Sequence, residues 1–189
     1  ANVTVVACGV GNLLSVCRAL EYCGASVVLT SDPEKVKTAS RLVLPGVGAL
    51  ANAMRSLRDF GLVSVIHEVA ARGTPVLGIC LGMQLLMEES EEFGITRALG
   101  IIQGKVVSIP AENSPRWDQK IPHIGWNELH PTESRDWNGT ILHSTSPGDA
   151  VYFVHSFMAL PSDPSHCLAS CDYGGYFIPA VIQKGKTIG

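Results

Sequence analysis

The sequence predicts a doubly wound α/β fold with a mostly parallel central sheet, and three observations support this prediction. Continuous apolar runs such as "VTVVAC", "RLVLPG" and "PVLGIC" are typical of strands buried on both faces of a parallel sheet. Helical stretches separate these runs along the first half of the chain. With 189 residues, 46% hydrophobic and 16% charged, the chain can bury one full core. We therefore expect a single domain over residues 1–189, with helices on both faces of the sheet.

The first half of the chain predicts alternating strands and helices. The strand "VTVVAC" is followed by a glycine-rich turn and the helical stretch "LLSVCRALEYCG", and "SVVLT" is followed by "PEKVKTA". The strand "RLVLPG" precedes the helical stretch "LANAMRSLRDFGLVSVIHEVAARG", and "PVLGIC" closes this half. In a parallel sheet of this kind, the loops that follow successive strands emerge at the same carboxyl edge, where α/β proteins form their sites.

The second half of the chain has a different character. Turns rich in Pro, Gly and Asp separate strand-like pieces, which are "GIIQGKVVSIP", "HIGWNELHPT", "AVYFVHSFMALP", "HCLASCDYGG" and "FIPAVIQKGKTIG". We interpret them as a mixed or antiparallel extension of the same domain. The segment "AENSPRWDQK" is expected to be an exposed loop.

Charge and cysteine usage exclude several classes of protein. A formal charge of −3, a pI near 6.1 and the lack of a basic run argue against nucleic-acid binding. The N-terminal "ANVTVVACGVGNLL" has no positive region and its apolar run is interrupted by glycines, so we predict neither a signal peptide nor a membrane span. The six cysteines contain no CxxC pair, which favours reduced thiols in the cytoplasm.

Two motifs suggest a metal or a cofactor, and in both cases we favour a simpler interpretation. Cys167 and Cys171 in "CLASC" are most simply small apolar strand residues, so we predict no metal site. The stretch "CGVGNLLS" resembles a dinucleotide fingerprint, and Asp32 lies near the end of the next strand. The third glycine of that fingerprint would fall at Leu14, so we predict a tight turn and no cofactor.

The stretch "GICLG" is the strongest chemical motif. Gly78, Cys80 and Gly82 form G-x-C-x-G between an apolar strand and a helical stretch, as in a nucleophile elbow that carries Cys in place of Ser. A thiol at a helix N-terminus is expected to favour the thiolate, and the N–H of Leu81 would point at a developing oxyanion. The alternative is an unreactive buried cysteine in a strand-to-helix corner.

A second oxyanion donor is expected in "LPGVGAL", from Leu44 to Leu50. This segment follows the strand that precedes the cysteine strand, so both loops emerge at one sheet edge. Gly46 and Gly48 allow the backbone there to expose N–H groups or to flip. The alternative is an ordinary Pro-Gly turn.

Four segments together resemble the class I glutamine amidotransferases: "PGVGAL", "GICLGMQLLMEESEEFG", "PHIGWN" and "YFVHSF". Within that family, "GNLLS" and "HIGWN" are most similar to the glutaminase subunits of imidazole glycerol phosphate synthases. The resemblance implies a flavodoxin-like fold and hydrolysis of glutamine to glutamate and ammonia. It also implies a (β/α)₈ cyclase subunit as heterodimer partner, which would use the ammonia in histidine biosynthesis.

The resemblance also assigns residues to roles. Cys80 would be the nucleophile, and Val47, Gly48 and Leu81 would form the oxyanion hole. The residues that would hold glutamine are Gly46, Gln84, Glu92, Ser156 and Phe157. The residues at the mouth that faces the partner would be Asn12, Pro122, His123 and Tyr152. Gln84 and Glu92 fall in the expected helical stretch after the elbow, where a solvated helix face is the alternative.

One part of the family pattern is not found. The family ends its site with a Phe-His-Pro-Glu segment whose His is the general base, and this sequence reaches "AVIQKGKTIG" where that segment would follow. We therefore expect a fragment of a longer gene product, and no imidazole nitrogen within about 4 Å of the Cys80 sulfur. Two other functions remain open: a non-catalytic regulatory or scaffold relative, and an unrelated cysteine hydrolase.

Overall fold

The computed structural model describes residues 1–7, 12–110, 120–132 and 136–189. The expected loop "AENSPRWDQK" lies almost entirely outside the described residues, as does the first half of "CGVGNLLS".

Helices and strands alternate in the first half of the chain, and strands predominate in the second. The helices are α1 (Leu13–Tyr22), α2 (Pro33–Lys37), α3 (Leu50–Asp59), α4 (Leu62–Ala71) and α5 (Leu81–Leu85). The strands up to the middle of the chain are β1 (Asn2–Val6), β2 (Ser26–Thr30), β3 (Leu42–Gly46), β4 (Val76–Cys80), β5 (Glu89–Ser90), β6 (Thr96–Arg97) and β7 (Gly104–Ser108). The later strands are β8 (His123–Glu128), β9 (His130–Pro131), β10 (Ala150–His155), β11 (Phe157–Pro161), β12 (Cys167–Tyr173), β13 (Tyr176–Lys184) and β14 (Thr187–Ile188).

The main sheet has eight strands in the order β2-β1-β3-β4-β14-β13-β12-β9. The five strands from β2 to β14 are parallel, and β13, β12 and β9 continue the sheet with antiparallel pairings. A two-stranded ribbon, β10-β8, and a four-stranded sheet, β11-β7-β5-β6, complete the strand structure of the described residues. The predicted parallel sheet with an antiparallel extension in the second half is confirmed.

The apolar runs lie where their composition predicts. Every residue of β3 is buried, whereas β2, at the edge of the main sheet, is largely exposed. Helix α3 buries one face at the helical spacing of three and four residues, which comprises Leu50, Ala53, Met54 and Leu57. This face belongs to the largest core cluster, together with residues of β3, β4, α4 and α5.

Three boundaries differ from the sequence prediction. The long helical stretch is two helices, because Gly61 has a left-handed φ of 66° and forms the N-cap of α4. The helical stretch after Cys80 ends at Leu85, since the next residues, Leu86 and Met87, are fully buried and lead into β5. The piece "AVYFVHSFMALP" is divided at Ser156 into β10 and β11, which belong to different sheets.

The last strands return the chain to the centre of the main sheet. β13 and β14 form an antiparallel hairpin, and β14 lies parallel to β4 with Ile188 opposite Leu77. The carboxyl end of β14 therefore lies at the same edge as Cys80, the last residue of β4. Within the described residues, no helix combines the length and the apolar character needed to cross a membrane.

Candidate active site

The elbow at Cys80 has the backbone geometry that the motif predicts. Cys80 ends β4 and is the N-cap of α5, with φ 55° and ψ −113°. A positive φ is uncommon for a residue with a Cβ and costs about 1–3 kcal/mol, so the surrounding structure must hold it. Such strain is characteristic of a side chain displayed at a sharp strand-to-helix turn.

The two glycines of the motif are required by backbone contacts. A Cβ on Gly82 would lie 1.6 Å from the carbonyl oxygen of Leu44, in the neighbouring strand β3. A Cβ on Gly78 would lie 2.5 Å from the carbonyl oxygen of Gly82. Helix α5 thus packs directly on the ends of β3 and β4, and this close approach fixes the direction of the Cys80 side chain.

The pKa of Cys80 differs from the sequence prediction, which expected the helix N-terminus to favour the thiolate. Burial raises the pKa of the thiol, and the backbone N–H of Leu81 lowers it to a smaller extent. The residue is exposed as a whole, but it also lines a cavity whose walls displace water. Helix α5 has only five residues, so few aligned peptide dipoles oppose the effect of burial.

The predicted oxyanion loop begins beside the nucleophile. Gly46, the last residue of β3, is paired with Cys80 in the parallel register. Val47 and Gly48 follow it directly and both are exposed, with Gly48 at a φ of 92°. The side chain of Leu81 packs against Gly46, since a Cβ there would lie 3.1 Å from the Leu81 Cβ. The structure therefore brings Gly46 and Leu81 together at Cys80, with Val47 and Gly48 adjacent.

A cavity of about 350 Å³ extends from Cys80 between α5, β10, β11 and β13. Its lining is mainly apolar, and its polar members include Cys80, Gln84 and His155. Phe157 also lines it. This volume is within the range of small-molecule sites. Of the predicted glutamine residues, the cavity therefore includes Gln84 and Phe157 beside the nucleophile.

Two other predicted substrate residues have structural contacts elsewhere. The carboxylate of Glu92 accepts a hydrogen bond of 2.9 Å from the N–H of Leu50, so it caps the N-terminus of α3, where Ala49 offers no capping side chain. Glu92 follows β5 and does not lie in a helix, contrary to the sequence prediction. The carbonyl of Ser156 accepts a hydrogen bond of 2.9 Å from the N–H of Ile109. Neither residue lines the cavity.

Side chains from two elements, α5 and β10, converge on the carbonyl oxygen of Phe157. The amide nitrogen of Gln84 donates to it over 3.1 Å, and Nδ1 of His155 lies 2.9 Å from it. Nε2 of His155 in turn lies 3.0 Å from Nδ1 of His123. Sequence analysis gave His155 no role. The signal that could have revealed it is its position opposite His123 in the ribbon, which requires the strand register.

The carbonyl fixes the direction of these hydrogen bonds. Because a carbonyl oxygen only accepts, Nδ1 of His155 must donate to Phe157. Neutral His155 then accepts at Nε2, so Nδ1 of His123 must donate to it. Burial, and secondarily the neighbouring His155, lower the pKa of His123 to about 4. Burial also lowers the pKa of His155, so both rings are neutral at neutral pH.

The predicted partner-facing residues are not equally accessible. Pro122 and Tyr152 are exposed, as is Asn12, whose side-chain oxygen caps α1 by accepting from the N–H of Ser15. His123 is only 2% exposed and its ring is stacked between Phe153 and Tyr173. His123 therefore lies beneath the ribbon surface and not on it.

The outer face of the β8-β10 ribbon is apolar and exposed. Tyr152 is paired with Trp126 across the two strands, and Val154 with Ile124. All four are exposed, Trp126 by 74%, and the rings of Trp126 and Tyr152 meet edge to face at 5.8 Å. The opposite face of the same strands carries His123 and His155. Sequence analysis did not identify this four-residue surface, because it becomes visible only when the register is known.

The acid–base group that the family places beside the nucleophile has no counterpart among the described contacts. In residues 1–7, 12–110, 120–132 and 136–189, no hydrogen bond joins the Cys80 sulfur to an imidazole. His155 lines the same cavity, but its two ring nitrogens are directed at Phe157 and His123. Within the same ranges, no cluster of three or more His, Cys, Asp or Glu side chains could hold a metal ion.

Comparison with known proteins agrees with this geometry. The family model described as "Glutamine amidotransferase class-I" matches residues 4–189. The chain belongs to the class I glutamine amidotransferase family. It is 49% identical over 189 residues to imidazole glycerol phosphate synthase subunit HisH 1 of Legionella pneumophila (strain Lens), covering 100% of this chain and 89% of that protein. It is 46% identical to subunit HisH of Aquifex aeolicus (strain VF5), covering 94% of this chain and 81% of that protein.

Solved structures support the same fold at low sequence identity. A crystal structure of a glutamine amidotransferase matches with a TM-score of 0.72 and 16% identity, covering 98% of this chain and 86% of the other. The glutaminase domain of the Trypanosoma brucei CTPS, solved with bound acivicin, matches with a TM-score of 0.64 and 13% identity, covering 96% of this chain and 80% of the other. These likenesses establish the flavodoxin-like fold that the sequence predicted.

Proposed function

We propose that this chain belongs to the glutaminase subunit of an imidazole glycerol phosphate synthase, and that it hydrolyses glutamine and supplies ammonia for histidine biosynthesis. The observation that carries the proposal is the Cys80 elbow, which lies beside Gly46 and opens into the cavity lined by Gln84 and Phe157. The relatives of 46% and 49% identity bear the name of that synthase.

The proposed reaction proceeds through a thioester. The deprotonated sulfur of Cys80 attacks the side-chain amide carbon of glutamine, and the N–H of Leu81 with the Val47–Gly48 backbone stabilises the resulting oxyanion. The C–N bond breaks once the nitrogen has gained a proton, and ammonia leaves. Water then hydrolyses the thioester, which yields glutamate and restores the thiol.

Proton transfer in this scheme requires a further group. The raised pKa of Cys80 means that the thiol needs a base to deprotonate it at neutral pH. We propose that the His and Glu of a family-type Phe-His-Pro-Glu segment provide this chemistry. The sheet edge where Cys80 lies is also the edge where β14 ends.

We further propose that the partner is a (β/α)₈ cyclase subunit that docks on the outer face of the ribbon formed by Ile124, Trp126, Tyr152 and Val154. Exposed apolar patches of this kind characterise interaction sites, and Trp and Tyr are enriched among the residues that dominate binding. A charge of −3 without a basic run supports neither a nucleic-acid nor an anionic membrane partner. Among the residues that the structure describes, Cys17, Cys23, Cys80 and Cys171 are free thiols, which suits the cytoplasm.

Covalent labelling tests the glutaminase proposal. The full-length protein, with the proposed acid–base segment, is incubated with acivicin, an electrophilic glutamine analogue, and the adduct is mapped by mass spectrometry. We expect one adduct at Cys80, and excess glutamine should slow its formation. Cys80→Ser should abolish labelling, whereas Cys23→Ser, which alters another exposed thiol, should leave it unchanged.

Three results would count against the proposal. Labelling of another cysteine (Cys8, Cys17, Cys23, Cys167 or Cys171) while Cys80 stays free would exclude Cys80 as the nucleophile. Labelling of Cys80 without protection by glutamine would favour a cysteine hydrolase of other specificity. Absence of any glutamine-protected labelling would favour the non-catalytic scaffold.

A further inference from the structure

The carbonyl of Phe157 occupies an unusual position in the strand structure. β11 lies at the edge of its sheet and is paired only with β7. Because the N–H of Ile109 bonds to the carbonyl of Ser156, Phe157 and Ser108 form a pair without mutual hydrogen bonds. The Phe157 carbonyl therefore points away from β7, and side chains provide its donors.

Those donors come from the nucleophile helix and from the ribbon. Gln84 of α5 donates from its amide nitrogen over 3.1 Å, and His155 of β10 donates from Nδ1 over 2.9 Å. With Nε2 of Gln84 held in this way, the other amide atom, Oε1, is left as an acceptor. An acceptor is what the α-ammonium group of an amino acid requires.

His123 completes the arrangement from the inner face of the ribbon. It donates to Nε2 of His155 over 3.0 Å, which keeps His155 in the tautomer that donates from Nδ1. The ring of His123 is itself fixed by stacking on Phe153 at 4.7 Å and on Tyr173 at 3.9 Å. The contacts thus lead from the aromatic stack around His123 to the side chain of Gln84.

We propose that His155, held by His123, is a positioning residue for glutamine: it fixes the Phe157 carbonyl, which in turn orients the Gln84 amide for the amino-acid end of the substrate. This inference rests on the proposed function. The ribbon that carries both histidines presents its outer face to the proposed cyclase site, so the position of the ribbon and the affinity for glutamine are linked.

Saturation kinetics of acivicin labelling at Cys80 test this role, because they separate the inhibitor's dissociation constant from the rate of covalent reaction. His155→Ala removes the donor to Phe157 and should raise the dissociation constant about 3-fold to 10-fold, as expected for one lost hydrogen bond. The maximal labelling rate should change less than about 2-fold, since His155 does not contact the sulfur in this scheme. His67→Ala, at an exposed position in α4, is the control and should match the parent.

Rescue and coupling distinguish positioning from a general structural effect. His155→Asn places an amide donor near the Nδ1 position and should restore most of the affinity. In a Gln84→Ala background, His155→Ala should add little further loss, because both substitutions disrupt one arrangement. If His155→Ala does not fold, a second pair of variants tests the same role. His123→Leu removes the donor to His155 and should raise the dissociation constant, whereas His123→Asn keeps a donor and should not.

The outcomes separate this inference from the proposed function. A full-length parent protein that is not labelled at Cys80, or not protected by glutamine, refutes the proposed function and the inference with it. A parent that is labelled normally while folded His155→Ala retains its affinity refutes the positioning role alone. Three other results would also refute the positioning role. They are a lower labelling rate at unchanged affinity, an equal loss of affinity in His155→Asn and His155→Ala, and a loss of affinity in His155→Ala that adds to that of Gln84→Ala.

Discussion

The three glycines around Cys80 allow a graded test of the elbow. A Cβ at Gly82 would lie 1.6 Å from the Leu44 carbonyl oxygen, one at Gly78 would lie 2.5 Å from the Gly82 carbonyl oxygen, and one at Gly46 would lie 3.1 Å from the Leu81 Cβ. The first two contacts are with backbone atoms, and the third is with a side-chain atom that would have to give by only a few tenths of an ångström. We therefore expect Gly82→Ala to destabilise the protein most and Gly46→Ala least.

The magnitudes follow from the distances. Relief of the contact at Gly82 requires α5 and the end of β3 to separate by more than an ångström, at a cost of about 3 kcal/mol or more, the top of the usual overpacking range. Gly78→Ala should fall near the middle of that range, and Gly46→Ala should cost about 1 kcal/mol or less. For a chain of this size, about 1 kcal/mol corresponds to roughly 2–4 °C in Tm. Gly82→Ala should therefore lower Tm by about 6 °C or more.

Thermal unfolding followed by far-UV circular dichroism measures this series, with urea unfolding as an independent check. The order Gly82→Ala, Gly78→Ala, Gly46→Ala in decreasing loss of stability is the expected result. Gly46→Ala is the matched control, because it adds the same methyl group at the same sheet edge. A Gly82→Ala protein that melts within about 2 °C of Gly46→Ala would refute the close packing of α5 on β3.

Two further predictions concern the ribbon. His123 has a pKa of about 4 in the folded protein, against 6.5 ordinarily, so the unfolded chain takes up a proton at this residue first as the pH falls. The free energy of unfolding should therefore decrease as the pH falls from about 6.5 to about 4. The ring of His123 faces His155, Phe153 and Tyr173. In urea titrations, the free energy of unfolding of His123→Asn should depend less on pH than that of the parent. Equal pH dependence in the two proteins would contradict the assignment. Trp126→Asp should weaken association with the cyclase subunit at least about 30-fold, as measured by calorimetry. Phe177 is 71% exposed on β13, and the control Phe177→Asp should leave the association unchanged. Equal effects of the two substitutions would exclude the ribbon face as the docking site.

The elbow could be predicted from the sequence because its requirements are local. Gly78 and Gly82 flank Cys80 within five residues, and the need for small side chains there follows from the sharpness of one turn. The parallel sheet was equally accessible, since buried strands such as β3 are apolar throughout. In both cases the determining atoms are close in sequence, so the pattern of residue types is sufficient.

The errors occurred where distant segments decide the structure. Helix α5 stops at Leu85 because the chain turns toward β7, with which β5 pairs. The break at Ser156 arises because β10 pairs with β8 while β11 pairs with β7. The substrate role of Glu92 remains a prediction, but its cap on α3 could not be seen without knowing that residues 50 and 92 meet. No local pattern encodes these contacts.

The same distinction separates the geometry of the nucleophile from its ionisation. The positive φ of Cys80 and the contacts of Gly78 and Gly82 form a shaped site from one short segment and the adjacent strand. Ionisation depends on every group around the sulfur, and in the described residues burial outweighs the Leu81 N–H, so the pKa of the thiol is raised. The shape of the site is therefore set by a few neighbouring residues, whereas the pKa of Cys80 depends on groups that several elements bring to the sulfur.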